Sequence, residues 1–319
     1  MLKYICRRFL VALPIFLGIT AVVYIMSCLT PGNVINIMAG EGTMTREAYD
    51  ALVLEYHLDQ PIPIRYLLWL GGVLKGDLGI SSSTSQSVAS MIGARIGPTL
   101  VLTGISMLVS VLIAIPLGVM SAYKPYSAWD HVSSVLTFIG ASIPNFFLSL
   151  VAIYLFSVKF RLLPSQGMYT TGGTQSVSDL AVHLVLPVLV LSVQLTGSYL
   201  KQTRGAVLEV LNEEYVKTAR SKGITERRVM IGHALRNAWI PIVTTIGLNV
   251  PFLIGGAVVT EQVFSWPGLG SLMIFAIDKR DYNLIMGITV LIALVVMVVN
   301  ILLDVLYAYL NPRIRRSMT

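Results

Sequence analysis

Six apolar stretches of 18 or more residues constrain this chain more than any other feature: about Phe9–Leu29, Thr99–Ala122, Val132–Ser157, Leu180–Leu200, Trp239–Val259 and Ile285–Leu310. A run of that length crosses the roughly 30 Å hydrocarbon core of a bilayer as a helix, which satisfies its own backbone hydrogen bonds where no water can. None of the six holds a Lys or Arg, and Asp304 is their one carboxylate. Only 12% of the residues are charged, against roughly 25% in soluble domains, which excludes a soluble globular chain. The expected fold is an all-α integral membrane protein with six transmembrane helices.

The net charge of +7 raises nucleic-acid binding, so the placement of charge matters more than its total. With both termini cytoplasmic, segments 1–8, 123–131, 201–238 and 311–319 lie inside and hold 15 of the 23 Lys and Arg. That asymmetry is the positive-inside bias and reads as a multi-pass membrane protein with both termini in the cytoplasm. The basic loop 201–238 lacks the interleaved aromatics that a nucleic-acid surface needs. Lys3, Arg7 and Arg8 ahead of the first apolar run resemble a secretion signal, but the run exceeds the usual h-region and five more follow, so it reads as a retained helix. Cys6 and Cys28 sit at opposite ends of it, too far apart to pair.

The chain divides into 1–98, a first helix with a long outer loop; 99–310, a five-helix core; and the tail 311–319. In the outer loop a Pro31-Gly32 turn precedes a helix capped by Thr45. A second amphipathic helix, with Leu67, Leu70 and Leu74 beside Tyr66 and Trp69, is expected to lie in the headgroup plane and to stop at Gly76-Asp77-Leu78-Gly79. The polar run Ser81–Ser87 turns back toward the membrane.

Every span after the first carries a strongly polar or helix-bending residue, among them Pro116, Pro144, Asn145, His183, Pro187, Gln194, Pro241, Asn249, Pro251, Asn300 and Asp304. Such groups either bond between helices or face a shared pathway; Asn145, His183, Gln194 and Asn249 are the pathway candidates. Catalytic patterns are missing. There is no phosphate loop, no H-E-x-x-H and no C-x-x-C, and the four histidines fall on different segments, so neither a catalytic centre nor a metal site is expected. Ser142 and His183 form the sole pair an intramembrane serine protease could use, without a nucleophile elbow around Ser142. A stand-alone secondary transporter would usually show an embedded charge pair or an inverted repeat, and neither is visible.

The loop 201–238 carries eight Lys or Arg and four Glu. Its pattern predicts a helix from Thr203 to Arg220 with Val207, Leu208, Leu211, Tyr215 and Ala219 on one face, a break at Gly223, and a second helix that starts near Thr225 and runs into the fifth span. A polar helix–Gly–helix joined rigidly to two spans suits the transfer of force from a soluble partner; otherwise it is a solvated basic loop.

Within it, Glu214-Tyr215-x-x-x-Ala219-Arg220-x-x-Gly223 and His233-x-Leu235-Arg236-Asn237-Ala238-x-x-Pro241 resemble the EAA loop of ABC importer permeases of the oligopeptide, dipeptide and nickel group. Tyr215 stands for the first alanine, and His-Ala-Leu-Arg for Ile-x-Leu-Pro, as this subgroup has them. Arg65-Tyr66 through Ser81, and Glu261 through Gly270 with Arg280-Asp281-Tyr282, agree as well, so the resemblance covers nearly the whole chain. The long first outer loop favours a B-type dipeptide or oligopeptide permease subunit. The resemblance implies a type I ABC importer permease fold. It also implies a second permease subunit as heterodimer partner, two cytoplasmic ATP-binding subunits that hold ATP and Mg, and an extracellular or periplasmic substrate-binding protein. This chain would carry no cofactor. Glu214, Tyr215, Ala219, Arg220, Gly223, His233, Arg236 and Asn237 would form the ATPase-coupling loop, and Glu261, Trp266, Pro267, Gly268 and Asp281 the extracellular mouth. Di- or oligopeptides are the expected substrates. The alternative is a nickel or other small-solute permease of the same group, although the scarcity of intramembrane His, Met-Cys clusters and carboxylates gives nickel or a nickel chelate no support.

Overall fold

The computed structural model describes residues 2–29, 45–55, 57–251 and 257–310. The Pro31-Gly32 turn, the tail 311–319 and part of the fifth expected span lie outside the described residues. From the N-terminus, α1 (Leu2–Leu29) is followed by two shorter helices, α2 (Arg46–Glu55) and α3 (Ile62–Leu74). Next come α4 (Val88–Tyr123), α5 (Ala128–Ser142) and α6 (Asn145–Ala152), which runs on as π-helix over Ile153–Lys159. α7 (Val177–Leu211) leads to the loop helices α8 (Glu214–Ser221) and α9 (Glu226–Arg228). A π-helical stretch, Val229–Leu235, joins α9 to α10 (Arg236–Leu248). The chain closes with α11 (Val258–Val263), α12 (Leu269–Asp278) and α13 (Tyr282–Leu310).

Among the described residues, α1, α4, α7 and α13 are long and apolar enough to cross a membrane, and α5 with α6 makes a fifth, broken span. The fifth expected span is described as α10 and residues 249–251, with 252–256 beyond them outside the description and 257–259 leading into α11. The break between α5 and α6 bends the chain by 104° where the sequence suggests one continuous span. Pro144 causes it: its ring disfavours helical geometry at Ile143, which takes φ −87° and ψ 122°.

α7 organises the bundle. It is 35 residues long, so at 1.5 Å per residue it extends about 52 Å and overshoots the bilayer core at the basic end. It packs on α4, α5 and α10, and small residues set the closeness. A Cβ at Gly140 of α5 would stand 2.7 Å from the Val193 carbonyl oxygen of α7, and one at Gly197 would stand 3.3 Å from the backbone of Thr137. A Cβ at Gly118 of α4 would meet the Thr203 side chain at 2.8 Å. Close backbone contact of this kind is how helices associate where lipid offers no hydrophobic contrast. Buried Thr103, Ser106 and Ser110 of α4 return their hydroxyl protons to carbonyls one turn earlier, so a polar side chain at membrane depth stays satisfied.

α3 departs from the headgroup-plane expectation. Its Tyr66 hydroxyl bonds Thr20 (2.9 Å) and the Leu17 carbonyl (3.2 Å) midway along α1, and Tyr24, Tyr66 and Trp69 stack with ring centroids 5.6–5.9 Å apart. Trp69, Leu70 and Val73 pack on Phe16, Val290 and Ala293, while Leu67 and Leu74 point outward. The helix is apolar on both faces, so its inner face is fixed by these aromatics rather than by the leucine stripe. Thr45 caps α2 as expected, accepting from the Ala48 N–H at 3.4 Å. Asp304 of α13 pairs with Arg8 of α1 at 3.1 Å, which accounts for a carboxylate in an otherwise uncharged span.

Candidate functional site

The two ends of the bundle carry two different constructions. At the basic end, the expected single helix from Thr203 to Arg220 divides at Asn212-Glu213 into the end of α7 and the separate α8. α8 has an apolar underside and a charged outer face. Val216 and Ala219 are buried in one cluster with Ala122 of α4, Ala206, Val207 and Leu211 of α7, and Val229, Met230, Ala234, Ala238 and Ile242 around α10. Glu214, Tyr215, Lys217, Thr218 and Arg220 face outward. Three helices of the bundle therefore share one hydrophobic contact with a short helix whose other side is charged and exposed.

Gly223 ends this segment. Its φ of +75° lies in the left-handed region, its N–H donates to the Arg220 carbonyl at 2.9 Å, and its Cβ position is open space, so the demand for glycine there comes from the backbone angle. Arg220 reaches across the turn and donates from Nε and Nη2 to the two carboxylate oxygens of Glu226, at 2.9 and 3.3 Å. Lys217 donates to Glu214 at 2.7 Å. Thr225 stands at the start of α9 as expected, but its hydroxyl makes no capping bond. Asn237 donates to the His233 carbonyl at 2.8 Å, and Arg236 is exposed beside it. Burial, with Glu213 close by, pushes the Tyr215 phenol above its ordinary pKa.

At the opposite end, Glu261 and Asp281 are fully buried. Glu261 of α11 accepts from the Thr99 hydroxyl at 2.8 Å and from the Ser271 N–H at 2.9 Å, in the first turn of α12. Thr99 in turn accepts from the Leu269 N–H at 2.7 Å. A carboxylate at a helix N-terminus satisfies donors that the helix itself leaves open. Gly268 and Gly270 are required by that approach, since a Cβ on Gly268 would collide with the Glu261 carboxylate and one on Gly270 would stand 2.8 Å from Val258 Cα. Trp266 is buried beneath, its indole donating to the Pro98 carbonyl at 2.9 Å, with Pro267 half-buried next to it. Burial holds Glu261 above its ordinary pKa against these donors.

Asp281 fastens the outer loop. Burial opposes its ionisation, but the Ser81 and Ser83 hydroxyls and the Ser83 and Leu284 N–H groups outweigh that and hold it below its ordinary value. Gly76 (φ +86°) and Gly79 (φ +81°) make the turn, and Asn283 donates to the Ile80 carbonyl at 2.8 Å. The side chains of Glu261, Trp266 and Asp281 therefore point into the protein and hold the shape of this end. As partners of these carboxylates Thr99, Ser81, Ser83 and Ser271 escape sequence reasoning, because nothing local to a serine or threonine marks a distant partner.

The four pathway candidates have different surroundings. Asn145 donates to Thr260 at 2.9 Å, immediately before Glu261. His183 is buried, its Nδ1 3.0 Å from the Asp179 carbonyl. Asn249 donates to the Thr245 carbonyl at the end of its own helix, at 2.7 Å. Gln194 alone lies on the exposed face of α7.

Comparison with known proteins gives consistent matches. Residues 114–316 match the family model of the binding-protein-dependent transport system inner membrane component, and residues 1–103 the N-terminal model of the same membrane components. The oligopeptide transport system permease protein AppB of Bacillus subtilis is 39% identical over 98% of this chain and 99% of its own length. The dipeptide transport system permease protein DppB of Escherichia coli is 38% identical over 99% of this chain and 100% of its own. The crystal structure of an amino acid ABC transporter with histidines superposes with a TM-score of 0.51 at 15% identity, covering 68% of this chain and 93% of that one. At that identity the likeness speaks for the fold, that of the type I ABC importer permeases.

Proposed function

Because the chain belongs to the binding-protein-dependent transport system inner membrane components, with both family models matched along its length, we propose that it forms part of the path for di- or oligopeptides through a bacterial inner membrane, driven by ATPases on other chains through α8. A permease subunit of this family is not itself the ATPase, and the chain has no G-x-x-x-x-G-K-[ST] loop to cradle phosphates. ATP and Mg belong on two cytoplasmic ATP-binding subunits, a second permease completes the path, and an extracellular or periplasmic binding protein delivers the substrate. The peptide reading rests on the curated relatives.

The observation that carries the coupling role is the two-sided construction of α8. Its charged face projects at the basic, cytoplasmic end, while Val216 and Ala219 weld it to the ends of α4, α7 and α10. When nucleotide closes the ATPases, a displacement of α8 must move those three ends with it, because a packed cluster shifts as a unit. Glu214, Tyr215, Arg220 and Gly223 form the docking face and its turn, and His233, Arg236 and Asn237 its second wall. Glu261, Trp266, Pro267, Gly268 and Asp281 frame the outer mouth from behind. Gln194, exposed on α7, faces the second permease and the substrate.

The test is a photo-cross-linking residue placed at Thr218, exposed on α8, and at Gln86, exposed in the outer loop. In native membranes Thr218 captures a subunit identified as ATP-binding, and Gln86 does not. Uptake-competent complex in which neither Thr218 nor Lys222 cross-links to an ATP-binding subunit contradicts the reading.

A further inference from the structure

The hairpin between α4 and α5 carries a polar construction that the coupling loop does not include. Asp130, in the first turn of α5, is buried. Its Oδ1 accepts from the Ser121 hydroxyl of α4 at 2.5 Å and from Nε of Arg204 on α7 at 2.8 Å. Its Oδ2 accepts from the Tyr126 N–H at 2.9 Å and from Nη2 of Arg204 at 3.2 Å. Arg204 Nε also lies 3.0 Å from the Ser121 hydroxyl. One carboxylate thus joins α4, the hairpin turn, α5 and α7. Arg204 is two residues ahead of Ala206, which belongs to the cluster that holds α8.

α5 contributes no residue to that cluster. Its basic end is linked to the coupling segment through Asp130. Near its other end it crosses α7, where Gly140 and Gly197 let the two backbones touch. Past the 104° bend, Asn145 donates to Thr260, next to the buried Glu261. A helix held at its basic end by directional polar bonds, in backbone contact with its neighbour near its other end, and continued past the bend into α6, whose Asn145 is itself bonded, has the form of a lever with a fulcrum.

We propose that the Arg204–Asp130–Ser121 clamp is a positioning device that makes α5 follow the coupling segment, so that motion at α8 reaches the Asn145–Thr260 contact at the outer end. This rests on the coupling role proposed above for α8. Asp130 and Arg204 touch neither nucleotide nor substrate; they act through α5. The apolar cluster carries α4, α7 and α10, and the clamp carries α5.

The experiment uses the assembled transporter in proteoliposomes and reads peptide uptake per ATP hydrolysed, normalised to complex abundance. Asp130→Asn keeps the shape of the side chain and removes the charge that orders four donors. Uptake per ATP is expected to fall roughly tenfold, within the range found for residues that modulate coupling between sites, while hydrolysis persists. A second variant, Asp130→Cys with Arg204→Cys in a Cys6→Ser, Cys28→Ser background, is expected to lose coupling in the same way and to regain it when a short bis-maleimide ties the two positions. A merely structural role would not give that rescue. Wild-type uptake per ATP in Asp130→Asn overturns the proposal, as does a bridged cysteine pair that stays uncoupled. Failure of both variants to assemble would make the clamp a folding element and overturn it too. Glu214→Ala and Gly223→Val, run alongside, separate the two claims: normal uptake in both sinks the role of α8, whereas their loss with normal coupling in the Asp130 variants sinks the clamp alone.

Discussion

The outer end and the basic end of this permease solve opposite problems. Around Glu261 and Asp281 the carboxylates are buried and bond to hydroxyls and backbone N–H groups, several of them far away in the sequence. Around α8 the charges are on the surface, and the fixed part is an apolar underside. The first construction holds a shape, since a buried donor left without its acceptor is costly. The second presents a replaceable surface on a rigid mount. Substitutions outside should therefore cost stability first, and substitutions at α8 should cost transport first.

The largest expected effect comes from Gly268→Ala. The new Cβ collides with the Glu261 carboxylate and must either displace it from α12 or push α11 and α12 apart, at about 3 kcal/mol or more. Folded protein recovered from membranes should drop sharply; wild-type yield and thermal stability would break the comparison. Next, Gly223→Val should strain the left-handed turn by roughly 1–2 kcal/mol yet leave insertion intact, because no span is touched. Uptake and substrate-stimulated ATP hydrolysis by the complex should fall together, measured against complex abundance.

Acid separates the two buried carboxylates. Glu261 has a raised pKa, so its burial costs stability where it is ionised, and stability is gained as pH falls from neutral through its folded value. Asp281 has a lowered pKa, so its contribution is complete above the ordinary aspartate value and is lost as pH falls through the depressed one. Thermal unfolding from neutral to mildly acidic pH should show a rise that Glu261→Gln abolishes, and a fall only in stronger acid. A steady decline across the whole range would contradict the assignment of Glu261.

The smallest effect on stability is expected at Lys217. Its bond to Glu214 joins side chains 58% and 86% exposed, and such a pair contributes about 0–1 kcal/mol. Lys217→Ala should leave the unfolding temperature within error, and any loss of uptake then reports the docking surface rather than the fold.

How much of this was legible in the sequence differs between the same two regions. The spans follow from apolar length, and the break at Gly223 from its glycine, because those signals are local. Gly223 takes its positive φ where the pattern ends a helix. The bend at Pro144 is visible as a proline, but its 104° angle is not, since a proline in a span can kink or break it. The outer end is hidden for a physical reason: Thr99 finds Glu261 across 162 positions, and Ser81 finds Asp281 across 200. Nothing in a window of sequence marks such a pair. The orientation of α3 fails for a related reason, because a helix apolar on both faces does not announce which one is inside.

The division between a shape-holding end and a force-receiving end is tested most directly by uptake per ATP hydrolysed in reconstituted complex carrying Glu214→Ala, with thermal stability measured on the same preparation. Glu214 is on the exposed face of α8 and its removal strains no backbone. The account predicts unchanged stability with uptake and substrate-stimulated hydrolysis both reduced. Wild-type uptake and stimulation at normal abundance, in Glu214→Ala and Gly223→Val alike, would contradict it.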